Sequence, residues 1–123
     1  MNGQLIQNEL VSFAEILPGV SVVGLVRVDG LMVAFYRKSG NLHEDRMAAM
    51  SAAMLSLGER IADDLGGGRL LSTVITGDEG WIFEVLVGDE HVLIAVIRNV
   101  QSCDEILLQM AACAQRLSGI LNA

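Results

Sequence analysis

The chain is poor in positive charge. Its 123 residues hold 8 lysines and arginines against 15 aspartates and glutamates, a net charge of −7, and Lys38 is the only lysine. Nucleic acid and anionic membrane surfaces both recruit proteins through dense positive charge, so neither is expected as a main partner. Long apolar runs are missing too. None approaches the ~18 residues of a membrane span, although 52% of the residues are hydrophobic and can supply one sizeable core. The start, MNGQLIQNEL, has neither the basic residues nor the apolar stretch of a secretory signal. A single cytoplasmic domain over residues 1–123 is therefore expected. Cysteine is scarce: Cys103 and Cys113 fall on one predicted helix, roughly 15 Å apart, beyond the reach of a disulfide. They read as reduced thiols, with Cys113 on the apolar stripe of its helix. No repeat, linker or low-complexity stretch divides the chain.

Signals for chemistry are equally sparse. The sequence has no G-x-S-x-G elbow and no H-E-x-x-H pair. The paired carboxylates Glu44-Asp45, Asp63-Asp64, Asp78-Glu79, Asp89-Glu90 and Asp104-Glu105 all sit at turns or helix ends, where solvation and capping account for them. His43 and His91 stand without ligand spacing around either. Lys38-Ser39 has the ending of a phosphate-binding loop but lacks its upstream glycines, and reads as an exposed loop. No catalytic residue, metal or cofactor is expected.

What the chain has is a long alanine- and methionine-rich helix between Asn41 and Gly68. Asn41 and Glu44 have the spacing of a capping box, and Gly66-Gly67-Gly68 can stop the helix. About 24 helical residues would span roughly 36 Å. Met47, Met50, Met54, Leu57, Ile61 and Leu65 share one arc, flanked by Leu55 and Ala62, and this arc is expected to cover a sheet. The opposite side, Ala48, Ala49, Ala52, Ala53 and Ser56, is small and uncharged. A second contact inside the domain, alanine's helix propensity, or a symmetric contact between two copies would each account for it. The last is preferred.

Around this helix the pattern is regular. Ile6, Leu10, Phe13 and Leu17 stripe a first helix over Gln4–Leu17, ended by Pro18-Gly19. Val20–Val28 and Leu31–Arg37 flank Asp29-Gly30, the pair that favours a type I′ hairpin. Arg69–Thr76, Trp81–Val87 and His91–Arg98 read as a meander joined by short polar turns. Ser102 and Glu105 cap a last helix striped by Ile106, Met110, Cys113, Ala114, Leu117 and Leu121. Strands apolar on both faces need cover on both sides. The expectation is a three-layer α/β/α sandwich of the α+β kind, on a five-stranded antiparallel sheet in the order α-β-β-α-β-β-β-α. Trp81, Phe83 and Val85 should face one layer. Glu84, the one charge in the middle of a strand, points the other way and either nears a rim or finds a partner.

With these pieces in place, the chain resembles the roadblock / dynein light chain family. The segments that carry the likeness are LPGV (Leu17 to Val20), VDGLMVA (Val28 to Ala34), AAMLSLGERIADDLGGG (Ala52 to Gly68) and GDEHVLIAVI (Gly88 to Ile97), in family order and spacing. Arg27 departs from the acid that many members carry two residues before the D-G turn. The resemblance implies a profilin/longin-like fold and dimers in which the middle helices lie side by side and the third strands pair across a two-fold axis. It also implies a non-catalytic regulator or scaffold of a small Ras-like GTPase, with two regulator chains per GTPase. The dimer contact would fall on Ala48, Ala49, Ala52, Ala53, Ser56, Arg69, Leu70, Ser72 and Val74, with an Asp45–Arg60 ion pair between copies. His43, Arg46 and Arg60 would lie at the margins of the partner surface. A sensory, ligand-binding or general adaptor module of similar fold is the alternative, since small-residue sandwiches can hold a pocket.

Overall fold

The computed structural model describes residues 2–123. Three helices and five strands follow in the expected order: α1 (Asn2–Ile16), β1 (Val20–Arg27), β2 (Met32–Arg37), α2 (Glu44–Asp64), β3 (Ser72–Thr76), β4 (Trp81–Val87), β5 (His91–Ile97) and α3 (Cys103–Leu121). The strands form one antiparallel sheet in the order β2-β1-β5-β4-β3. Strands β1 and β5, the most continuously apolar, lie inside the sheet, and β3 is an open edge.

Alternation of side chains sorts each strand between two layers. On one face, Leu10 and Phe13 of α1 and Met110 and Leu117 of α3 pack against Val23, Phe83, Leu93 and Ala95 in the larger core. On the other, Met47 and Ala48 of α2 meet Val22, Val26, Val92 and Ile94 in a smaller one. Trp81 and Phe83 stack with ring centroids 6.0 Å apart on the α1/α3 side, as their shared face requires. Helix α3 is capped as expected: Ser102 Oγ accepts from the Glu105 backbone N–H at 3.2 Å.

Strand β3 begins at Ser72 and not at the expected Arg69, because Leu70 turns under Gly58 of α2, and three further local details differ from expectation. The D-G hairpin is not type I′, because Asp29 keeps a negative φ and only Gly30 is positive, at 95°. The Gly30 N–H donates to the Arg27 carbonyl and the Arg27 N–H to the Leu31 carbonyl, both at 2.8 Å. That is a three-residue loop ending in a glycine bulge, and the register slips beside it between Leu25 and Val26. Asn41 does not cap α2. The helix starts at Glu44, with His43 at the cap position and no side-chain cap bond. Leu42 turns into the smaller core, and its carbonyl accepts from the Arg37 guanidinium at 3.0 Å; this keeps Asn41 and Leu42 in the loop and moves the cap two residues on, to His43. The third difference concerns which side of α2 meets the sheet.

Candidate interaction surface

Helix α2 seats on the sheet through Met47, Ala48, Ser51 and Leu55, its four buried residues. They are spaced i, i+1, i+4 and i+8, a face centred on small side chains that bring the helix backbone close. The large apolar residues expected there are largely outside: Met50 and Leu57 are each 58% exposed, Ile61 is 50% exposed, and Leu65 is more open still. At 100° per residue, Met50, Leu57 and Ile61 align on one flank, about 100° from Ser51. Ala52 lies on the opposite flank, near the Gly30 hairpin. The apolar stripe therefore borders the side where α2 passes β3.

Strand β3 continues the surface. Thr73 pairs with Glu84, and Thr73 Oγ1 lies 3.3 Å from where a Cβ on Gly58 of α2 would stand. Thr73 thus faces α2, and alternation puts Ile75, about half exposed, on that face with it. Leu71, just before the strand, is 72% exposed and borders a cleft beside Leu107 and Ala111 of α3. One apolar strip results, running from Met50, Leu57 and Ile61 down to Ile75, beside an unpaired row of backbone donors and acceptors on β3.

The residues expected at a contact between copies divide. Ala49, Ala53 and Ser56 are exposed on the outer side of α2. Ala48 is not available: it is 2% exposed, inside the smaller core of its own chain. Ala52 is half-buried against the hairpin. Leu70 packs under Gly58, and Val74 turns into the larger core. Half-buried Ser72 shares that inward side, so β3 offers its edge and the side chain of Ile75 instead. Arg69 is exposed and paired with Asp89 at 3.1 Å. His43, Arg46 and Arg60 are all exposed; Arg46 and Arg60 point outward from the same side of α2, roughly 21 Å apart along its axis. Neither is ion-paired among the described residues.

A family model described as the Roadblock/LC7 domain matches residues 6–98. The chain belongs to this family. A search of curated proteins returns no match. Among solved structures, a Roadblock/LC7 domain from Streptomyces avermitilis is similar at 19% identity, with 95% of this chain and 98% of that one covered and a TM-score of 0.86. MglB of Myxococcus xanthus is similar at 18% identity, with coverage of 98% and 88% and a TM-score of 0.81. Profilin II of Acanthamoeba castellanii follows at 15% identity, coverage of 92% and 96%, and a TM-score of 0.61. At such identities the likeness is one of fold, and it makes the three-layer sandwich profilin-like.

Two polar features of this Roadblock/LC7 domain belong to the surface's surroundings. Arg27 Nε donates to Asp29 at 3.1 Å across the hairpin, and that hydrogen bond holds the Asp29 carboxyl below its ordinary range. Beneath α2, Glu84 is 1% exposed. Ser51 Oγ donates to its Oε2 at 2.6 Å, while Oε1 and the facing Thr73 Oγ1 have no partner among the described residues. Burial pushes this carboxyl up to about 7; the Ser51 hydrogen bond pulls it down and Glu59 adds to the rise. On the far face, burial and the neighbouring Glu9 push the Cys113 thiol up to about 12, so it is an inert core group. The described residues hold no cluster of metal-ligating side chains and no helix long and apolar enough to cross a membrane.

Proposed function

We propose that this Roadblock/LC7 domain is a cytoplasmic, non-catalytic regulator or scaffold of a small Ras-like GTPase and works as a homodimer. The observation that supports the pairing is the uncovered strip of Met50, Leu57, Ile61 and Ile75 beside the open edge of β3. An edge strand with apolar neighbours is an aggregation hazard. A second copy related by a two-fold axis removes it: the β3 strands pair into one sheet and the α2 helices lie side by side, each covering the other's strip.

The GTPase reading follows from family membership, and the chemistry is compatible with it. The outer side of α2, with exposed Ala49, Ala53 and Ser56 between His43, Arg46 and Arg60, is the surface this pairing leaves for switch loops. The γ-phosphate orders those loops, so binding favours the GTP form. An arginine finger needs a mobile cation that can reach the transferring phosphate. Here the Arg37 guanidinium is bonded to the Leu42 carbonyl, and the Lys38 ammonium donates to the Ala14 carbonyl at 3.4 Å. Both are tied to this chain's own backbone, which favours a regulator that holds switch loops.

The test is retention of a small Ras-like GTPase from the same genome, loaded with a GTP analogue or with GDP. Retention of the GTP form at two regulator chains per GTPase is expected, and an Arg46→Glu/Arg60→Glu variant should weaken it about tenfold or more. Retention of neither form would remove the proposal. A ~10³-fold drop in stimulated hydrolysis for Arg37→Ala or Lys38→Ala, with binding kept, would be finger behaviour and would overturn the switch-loop mechanism.

A further inference from the structure

The Glu84 carboxylate lies where α2 crosses β4 and β3, and it is nearly alone there. Helix α2 offers it the Ser51 hydroxyl. Strand β3 places Thr73 directly opposite, and β5 places Ile94 on the other side. Among the described residues no cation acts on it; the neighbouring charge that does is Glu59, also on α2. One carboxylate oxygen is satisfied by Ser51, and the other has no partner among the described residues. Two turns beyond Ser51, a Cβ on Gly58 would stand 3.1 Å from Leu70 Cδ2 and 3.3 Å from Thr73 Oγ1, so the α2 backbone rests directly on β3. The buried polar cluster is thus the seam between the two elements that carry the apolar strip.

We propose that Glu84 is a proton-operated latch for α2: neutral, it lets the helix seat on β3 and β4 through Ser51; ionised, it favours a lifted helix that admits water to the carboxylate. A buried carboxylate with one hydrogen bond and no cation has little to replace its hydration, whereas a neutral carboxyl loses far less. With α2 lifted, the group returns to an ordinary value near 4.5, against about 7 when seated. Between those values the seated state holds the proton and the lifted state does not. Lifting is therefore suppressed at the acid end, grows as pH rises through this window, and levels off above it. The consequence for pairing of copies rests on the homodimer reading above; the latch itself does not. If both hold, pairing is tighter at pH 5 than at pH 8, because a lifted α2 no longer presents its stripe beside β3.

The measurement is hydrogen exchange on the intact protein at pH 5 and pH 8, with amide protection corrected for the intrinsic pH dependence of exchange. In wild type, α2 amides should lose about tenfold or more of their protection between the two pH values, and β5 amides much less. In Glu84→Gln, which keeps shape and polarity without a titrating proton, the α2 loss should shrink to about threefold or less. Equal loss in the two proteins would overturn the latch. Should Glu84→Gln fold poorly, the carbon-13 titration of the Glu84 carboxyl in wild type decides: a step near neutrality supports the latch, and a step in the ordinary carboxylate range overturns it. Sedimentation of the same samples separates the two proposals. A monomer at both pH values with Glu84-dependent lifting leaves the latch and removes the homodimer. A dimer at both pH values with no such lifting does the reverse.

Discussion

Gly19 meets the tightest steric limit among the glycines. Its φ is 94°, and a Cβ there would stand 2.2 Å from the Arg98 carbonyl oxygen, in a place where the Arg98 N–H also donates to the Gly19 carbonyl at 2.8 Å. Gly19→Ala should cost about 2 kcal/mol or more in urea unfolding, from left-handed strain and displacement of the β5 end. At Cys113 the expected outcome is milder. A Cys103→Ser/Cys113→Ser variant should keep its oligomeric state and partner binding, with about 1–3 kcal/mol lost because a hydroxyl is buried in place of the Cys113 thiol; loss of binding with the fold intact would contradict a purely structural role. Single residues were legible where local geometry decides, as at the Ser102 cap and the Pro18-Gly19 stop. Glu84 was legible as an anomaly, a charge in mid-strand. Its partner was not, because Ser51 lies 33 positions away and meets it only through the crossing of α2 over the sheet.

Among the elements, α2 separates what periodicity discloses from what it hides. Its existence and length follow from alanine, methionine and leucine at helical spacing, and 21 helical residues are found where about 24 are expected. Its orientation does not follow. Bulky apolar residues draw the centre of the helical wheel towards Met50, Leu57 and Ile61, whereas the sheet is met by Ala48, Ser51 and Leu55, where small side chains permit close approach. A helical wheel cannot distinguish an apolar stripe that covers its own sheet from one left for another molecule. The strands were easier, because alternation and turn chemistry are local; what escaped was the bulge after Asp29, since D-G serves type I′ and bulged loops alike, and the start of β3, which Leu70 delays to Ser72 by packing under Gly58. The element-level prediction follows from the corrected face. Met50→Arg, on the exposed stripe, should abolish pairing while the single chain stays folded, whereas Ala48→Arg should unfold the chain, because that side chain enters the smaller core. Circular dichroism melts beside light scattering distinguish the two. Similar damage to stability from both would contradict the assignment of faces.

For the whole molecule, layers and topology were legible because a sheet apolar on both faces must be covered on both, and the family pieces lie along most of the chain. The unequal cover was not. Helices α1 and α3 close one face, while α2 alone crosses the other and leaves the β3 side open. That asymmetry is the physical basis for reading the chain as half of a dimer. Sedimentation equilibrium on the wild-type chain and on Leu57→Glu, at high micromolar concentration, tests it most directly. The account predicts twice the 13.2 kDa chain mass for wild type and a folded species of single-chain mass for Leu57→Glu. A wild-type chain that remains monomeric across that range would contradict it.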